Sequence, residues 1–390
     1  LPEQSPLPLD GLFVVEIGHS LAGPFAGMVL ADLGATVLKV ENAGKGDHAR
    51  DWGPPFADGA AVLFNAVNRG KRSLCADLRD QETAVALRRL ILDRADVVLQ
   101  NLRFGTLDRI GLGGAGLTEA KSSLVYCNVG AFGRTGPQRD APGYDPLVQA
   151  ASGLMSMLGH PGEPVSRVPI AINDIGTGIW AALGILAALL RRKETGRGGI
   201  VDVSLYETAL TWLTIPASDY LASGVLPERL GSGVGNIVPH QAFECSDGPL
   251  MIAAGNDHLF RQLCHVLELD ALAADARFAT NGARVANRVT LIVLLSEAMR
   301  GRRVTELAGA LEKAGVPCGP VNTLATALEH PQTAALGMVG TLPGNGVRTV
   351  ALPLSLDGRR PPLAGPAPKL GEHQGMLSRA APVPNKEDAT

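Results

Sequence analysis

One aspartate stands where a carboxylate could react as well as fold. Asp174 follows an apolar stretch, precedes Gly176 and Gly178, and leads into the most apolar run of the chain, Ile179 to Leu190. An aspartate at a helix start commonly caps it by accepting backbone N–H bonds. The same carboxylate can attack an activated carbonyl if it is buried beside glycines, which let a bulky acyl group and backbone donors reach the reacting carbon. Both roles can hold together.

Cations form a second constellation: Lys39, then Arg69 with Lys71 and Arg72, then Arg103 with Arg109, each near the end of an expected strand. Ligands of open α/β sheets sit beyond the carboxyl ends of the strands, so these side chains can converge on an anion such as a nucleotide with several phosphates. Singly, each reads as solvated surface. Tyr144 and Asp145, in PGYDPL, lie in a glycine-rich loop, where such residues either approach Asp174 or fix a turn. His240 and His258 line a site or serve structure. No G-x-S-x-G occurs and the eight histidines are scattered, which leaves no Ser/His/Asp arrangement. Five cysteines without a CxxC pair argue against a disulfide framework and a structural zinc site, and fit a reducing compartment.

The elements that must hold these residues alternate. LFVVEIG reads as a strand, Pro24 to Leu33 as a helix, ATVLKVE as a strand, then a helix over Glu82 to Asp93, strand ADVVLQ, a loop with a helix near Arg109, strand SLVYCNV, a segment over 170–193 that runs from a loop into one long helix, and a strand beginning at IVDVSLYET. That is α/β: a Rossmann-like, doubly wound parallel sheet in a large domain over 1–210. Gly18, Gly23 and Gly27 lack the G-x-G-x-x-G spacing of a nicotinamide dinucleotide site and read as packing glycines. A smaller α+β domain follows over 226–318, with a hairpin at Ser246 to Gly248 and helices over 257–268, 287–300 and 304–314. Linkers fall at 211–225 and 319–325, and residues past about 376 have a frayed, polar composition.

A formal charge of -3 across 390 residues gives no basic field for nucleic acid or an anionic membrane. The run Ile179 to Leu190 is short of the roughly 20 residues of a membrane span and reads as a buried helix. The first residues, LPEQSPLPLDG, are not patterned as a secretory signal. A cytoplasmic enzyme is expected, or one of a mitochondrial or other organelle matrix if a transit peptide has been removed.

Several motifs, in order, resemble the class III CoA-transferase family: LAGPFAGMVLADLGATVLKVE at 21–41, GKGDHAR at 44–50, NRGKRSLCADLRD at 68–80, ADVVLQNLRFGTLDRIGLG at 95–113, GAFGRTGPQRDAPGYD at 130–145, INDIGTG at 172–178, AALLRRKETGRGG at 187–199, VPCGPV at 316–321 and APKLGEH at 367–373. The resemblance implies a large domain completed by about 325–390 and two chains interlocked as rings in a homodimer. It implies that Asp174 is the nucleophile and that a coenzyme A thioester is the co-substrate, with no metal and no redox cofactor. CoA contacts carry over to Ser20, Leu21, Ala22, Ala76, Asp77, Leu78, Arg79, Asn101, Leu102, Arg103 and Arg109, beside the cations Lys39 and Arg72; Asn42 departs from the basic residue of formyl-CoA transferases.

RDWGPPF at 50–56, GSGVGNIVPHQAF at 231–243 and VANR at 285–288 look most like the branch that moves CoA from succinyl-CoA to dicarboxylic acids such as glutarate or itaconate. Gly231, Gly233 and Gly235 then form a mobile loop over the acyl site, with Tyr144 and His240 as further substrate contacts. The similar α-methylacyl-CoA racemases carry a histidine where this chain has Tyr144. A phenol, titrating at about pH 10, is a poor proton shuttle at neutral pH, which favours transfer. A dehydrogenase-like or non-catalytic nucleotide-binding protein is the remaining alternative.

Overall fold

The computed structural model describes residues 6–378. The chain divides into two compact units, Leu1–Ser152 with Val168–Thr214 and Pro331–Thr390, and Gly153–Arg167 with Ile215–His330. Residues 153–167 thus belong with the second unit and not with the large domain expected over 1–210. The reason is local: the Arg229 guanidinium donates to the carbonyls of Ser156 (3.3 Å) and Glu163 (2.8 Å), and Gly231 N–H bonds the Gly159 carbonyl (3.0 Å).

The first unit is built on six strands: β1 Phe13–Ile17, β2 Thr36–Asn42, β3 Arg72–Ala76, β4 Val97–Gln100, β5 Val125–Gly130 and β6 Gly199–Ser204. All neighbours are parallel, in the order β3-β2-β1-β4-β5-β6. Successive side chains of β1 feed opposite faces: Val14 joins one apolar cluster, Phe13, Val15 and Ile17 another. Burial on both faces is why these strands read as continuous apolar runs. The order reverses between β1 and β4, the place where doubly wound sheets bind ligands.

The helices of this unit are α1 Ala22–Asp32, α2 Val62–Asn68, α3 Gln81–Arg94, α4 Gly114–Ala120, α5 Asp145–Ala151, α6 Ile172–Thr195 and α7 Leu205–Trp212. The strand expected to run on through SLYET stops at Ser204, whose Oγ accepts the Glu207 N–H (3.2 Å) and starts α7. At 24 residues α6 is longer than its apolar run suggested, and by length and composition alone it could cross a membrane. It is instead a core helix on one face, burying Gly178, Ala181, Ala182, Ile185 and Ala188, while Ile179, Trp180, Leu183 and Leu190 are exposed.

The open edge of β3 is covered by residues 366–376. Gly371 N–H bonds Ser73 Oγ (3.0 Å), His373 N–H the Ser73 carbonyl (2.8 Å), and Gln374 exchanges two bonds with the Cys75 backbone (2.9 and 3.0 Å). Met376 and Leu377 pack on the apolar cluster beneath. Most of the frayed composition past 376 lies outside the described residues.

In the second unit, β7 His240–Cys245, β8 Gly248–Ala253 and β9 Cys318–Pro320 form an antiparallel sheet in the order β9-β8-β7. The hairpin at 246–248 and helices α9 Asp257–Val266, α10 Asp270–Ala273, α11 Asn281–Ala286, α12 Arg288–Arg300 and α13 Val304–Lys313 surround Phe243, Leu250, Phe260, Leu291 and Leu307. The stretches expected as linkers, 211–225 and 319–325, are not loops throughout: α8 Thr214–Ser223 occupies most of the first, and α14 Leu324–Glu329 begins within the second.

Candidate active site

Two loops meet at the reversal of the sheet, Gly18–Leu21 after β1 and Asn101–Arg103 after β4. Asn101 joins them: its Oδ1 accepts His19 N–H (2.9 Å) and its Nδ2 donates to the His19 carbonyl (2.7 Å). The glycines read as packing residues make room for polar side chains. A Cβ on Gly18 would strike Asn101 Oδ1, one on Gly23 would lie 3.1 Å from Asn101 Cγ, and one on Gly27 would strike the Glu16 carboxylate. Ser20 holds a left-handed backbone, φ 67°, with its N–H on Asp47 Oδ1 (3.0 Å) and its Oγ 2.8 Å from His48 Nε2.

A cavity of about 720 Å³ opens beyond the carboxyl ends of β1, β2 and β3. It is lined in part by Ala76, Asp77, Leu78, Arg79 and Leu102, all expected contacts, and by His19, Lys45, Asp47, His48 and Asp51, which the sequence reading did not single out individually. The signal for Lys45, Asp47 and His48 was GKGDHAR, and for Asp51 RDWGPPF, each used only as a piece of resemblance. His19 is held below the ordinary imidazole range by burial and by the nearby His48, so it contributes hydrogen-bonding capacity more than charge.

The expected ring of cations is dismantled in part. Lys39 is fully buried: its Nζ contacts Glu16 (3.0 Å), Asp47 (2.9 Å) and the Gly18 carbonyl (3.0 Å), leaving no donor for a ligand. Burial alone would lower its pKa, but Glu16, Asp47 and Glu41 outweigh that and raise it. Lys71 pairs with Glu16 (2.7 Å), pushed by burial down to about 8, and Arg69 forks onto Asp32. These three hold the fold. Arg79 is exposed and paired with Asp77 (2.9 Å), and Arg72 is exposed against Met376 Sδ (3.9 Å). Arg103 and Arg109 are exposed, with no ion pair among the described residues.

Asp174 does not cap its helix. It is the third residue of α6, after Ile172 and Asn173, and its half-buried carboxylate accepts no hydrogen bond among the described residues. The cap comes from Asp145, the first residue of α5: its Oδ1 accepts Asn173 N–H at 2.7 Å and its Oδ2 accepts Gln149 Nε2 at 2.5 Å. Gln149 also clamps Val168 on both backbone groups (2.9 and 3.2 Å), fixing the approach to α6. Burial, and then the Asp145 charge, push the Asp174 pKa up to about 7. One turn on, the same helix face meets the first turn of α1, where a Cβ on Gly178 would lie 2.9 Å from the Ala22 carbonyl. The Asp174 carboxylate therefore rides on the helix that abuts Ala22 and Phe25.

Tyr144 is 54% exposed at the start of α5, beside Asp145. The other expected substrate contacts lie in the second unit. His240 opens β7, half-buried and paired in register with Ala253. The loop over Gly231, Gly233 and Gly235, expected to be mobile, is tethered: Gly233 N–H bonds Leu230 (2.9 Å), Ser232 Oγ accepts Ala242 N–H (2.9 Å), and Arg288 Nη2 donates to the carbonyls of Val234 (2.6 Å) and Gly235 (2.7 Å).

A doubly wound parallel sheet with a cleft beyond its carboxyl edge is the arrangement in which open α/β proteins bind their ligands. The family model described as CoA-transferase family III matches residues 9–374, and the chain belongs to that family, whose members move coenzyme A between carboxylic acids. It is 39% identical to the succinate–glutarate CoA-transferase of Agrobacterium fabrum over 97% of this chain and 96% of that one. It is 37% identical to the acetyl-CoA:oxalate CoA-transferase of Acetobacter aceti, over 97% and 96%. A crystal structure of a CAIB/BAIF family protein from Brucella suis superposes with a TM-score of 0.84 at 41% identity, over 96% of this chain and 99% of that one.

Proposed function

We propose that the enzyme transfers CoA from succinyl-CoA to a dicarboxylate such as glutarate or itaconate through covalent intermediates on Asp174. The observation that carries this is the unpartnered carboxylate with a pKa of about 7 at the head of α6. A carboxylate poorly stabilised by its surroundings is a better nucleophile than an ordinary aspartate, and is still substantially ionised at neutral pH. The relative acting on succinate and glutarate supports the choice of acids.

Asp174 attacks the thioester carbonyl and expels CoA thiolate, leaving a mixed anhydride. The thiolate then attacks the Asp174 carbonyl carbon, releasing the donor acid and forming an aspartyl-CoA thioester. The acceptor carboxylate displaces the thiolate to form a second anhydride, and thiolate attack on the acceptor's carbonyl yields the new thioester and frees Asp174. Each step exchanges one activated carbonyl for another, so holding the reactants together and excluding water supply most of the catalysis.

The apolar residues left exposed on α6 support assembly with a second copy, which the family resemblance describes as interlocked rings. Incubation with succinyl-CoA followed by hydroxylamine or borohydride should trap an adduct at Asp174, and Asp174→Ala should abolish transfer to a panel of mono- and dicarboxylates read by mass spectrometry. Full transfer by that variant rejects the mechanism; a preference for monocarboxylates rejects the acceptor. Light scattering of the purified protein should give twice the mass of one chain.

A further inference from the structure

Asp145 and Asp174 are brought together where the starts of two helices meet: Asp145 opens α5, and Asp174 is the third residue of α6. Asp145 is 2% exposed, and its two oxygens are committed, one to Asn173 N–H (2.7 Å) and one to Gln149 Nε2 (2.5 Å). The Asn173 side-chain amide is fully buried and makes no hydrogen bond among the described residues, so it is the backbone at the head of α6 that Asp145 engages. An acidic residue at the third helical position normally folds back onto the helix start or takes up its free N–H groups. Here that place is filled from another helix.

We infer that Asp145 is a positioning residue for Asp174: it caps α6 in Asp174's stead and sets a buried negative charge beside it, leaving the Asp174 carboxylate unpartnered and turned to substrate chemistry.

The other charged groups on the elements packed against α6 are spoken for. On α1, Asp32 pairs with Arg69; on α7, Glu207 accepts Ser204 Oγ (2.5 Å). On β6, Asp202 holds Asn128 and Arg134 (2.7 and 2.9 Å), while Tyr126 of β5 donates to the Leu112 carbonyl (3.0 Å) and Cys127 is buried and held neutral. On α6 itself the cations Arg191, Arg192 and Lys193 and the acid Glu194 stand in the last turns, far from Asp174. Asp145 is the charge that acts on Asp174.

This assignment rests on the transfer reading for its purpose, but its test does not. Full-length protein labelled with carboxyl-13C aspartate is titrated by NMR, Asp174→Asn identifying the resonance. Asp145→Asn keeps an acceptor for Asn173 N–H and removes the charge. The Asp174 midpoint should then fall by about one pH unit or more, and the pH profile of adduct formation with succinyl-CoA should move to acid by the same amount. Asp145→Glu should keep the midpoint high. If Asp145→Asn does not fold, Asp145→Ser, a smaller neutral acceptor, repeats the measurement. An unmoved midpoint in the folded neutral variant overturns the proposal even if the adduct forms. A midpoint that moves while wild type forms no adduct supports the pairing and rejects the transfer mechanism.

Discussion

Asn101 grips His19 by both backbone groups, at 2.9 and 2.7 Å, and so locks together the two loops at which the strand order reverses. Asn101→Leu preserves bulk but leaves a partly buried N–H and C=O unanswered, at a cost of about 1–2 kcal/mol. The loops that carry Ser20 and Leu102 should loosen together. Calorimetric titration should show weaker CoA binding, and chemical denaturation a lower midpoint.

Asp174 makes the fold less stable as pH rises. Its folded pKa, about 7, lies above the ordinary value of 3.8, so its contribution is fully present below about pH 4 and is lost as pH climbs through 7. Asp174→Asn should therefore stabilise the protein by about 1–2 kcal/mol at pH 8, after allowance for solvent screening of a half-buried group. The gain should vanish at pH 4. Melting curves of the two proteins across that range check the sign.

Glu41 and Asp47 behave oppositely. Burial opposes their charge, yet Arg50 and Ser73 at Glu41, and Lys39 with backbone donors at Asp47, hold both below the usual carboxylate range. Their stabilisation is present above about pH 4 and is lost as pH falls through the lowered values. Glu41→Gln should flatten the acid limb of the stability curve, measured by circular dichroism between neutral pH and acid.

Lys39→Met separates structure from binding. It strands Asp47 and half of Glu16's compensation in a buried site, which costs about 3–5 kcal/mol. Because the Lys39 ammonium is already fully engaged, the effect should appear in the denaturation midpoint and not in the CoA affinity of the folded protein. A large loss of affinity at unchanged stability would return Lys39 to the ligand.

Gly178→Ala tests the seat of α6 on α1. The added Cβ would sit 2.9 Å from a backbone carbonyl at Ala22, which cannot yield as a flexible side chain would. A cost of about 1–3 kcal/mol is expected, with a raised KM for acyl-CoA as the loop before Ala22 shifts. Steady-state kinetics at saturating acceptor would show it.

Five of the six strands were legible because they are largely apolar and alternate with helices, whereas β3, which opens on Arg72, was not; in the second unit α9, α12 and α13 were read within a residue or two, and the short α10 and α11 were missed. What escaped was decided by side chains meeting across the chain. Glu16 and Lys39 are partners in strand register, so a basic residue at a strand end became a buried ion pair, and the charge within FVVEI was the available sign of it. Ser204 and Glu207, three apart, spell a helix start that the apolar run through SLYET concealed. Asp174 looked like a cap because its substitute, Asp145, acts on a residue 28 positions away. No local pattern carries that distance.

The covering of β3 imposes a timetable on biosynthesis. Ser73 meets His373 300 residues later, so at about 5–20 residues per second the growing chain carries an unprotected β3 edge for on the order of 15–60 s. That edge borders the wall of the cavity at Ala76 and Asp77. Until the late segment arrives, the nascent protein offers its neighbours on the ribosome a strand to pair with, and a holding chaperone something to shield.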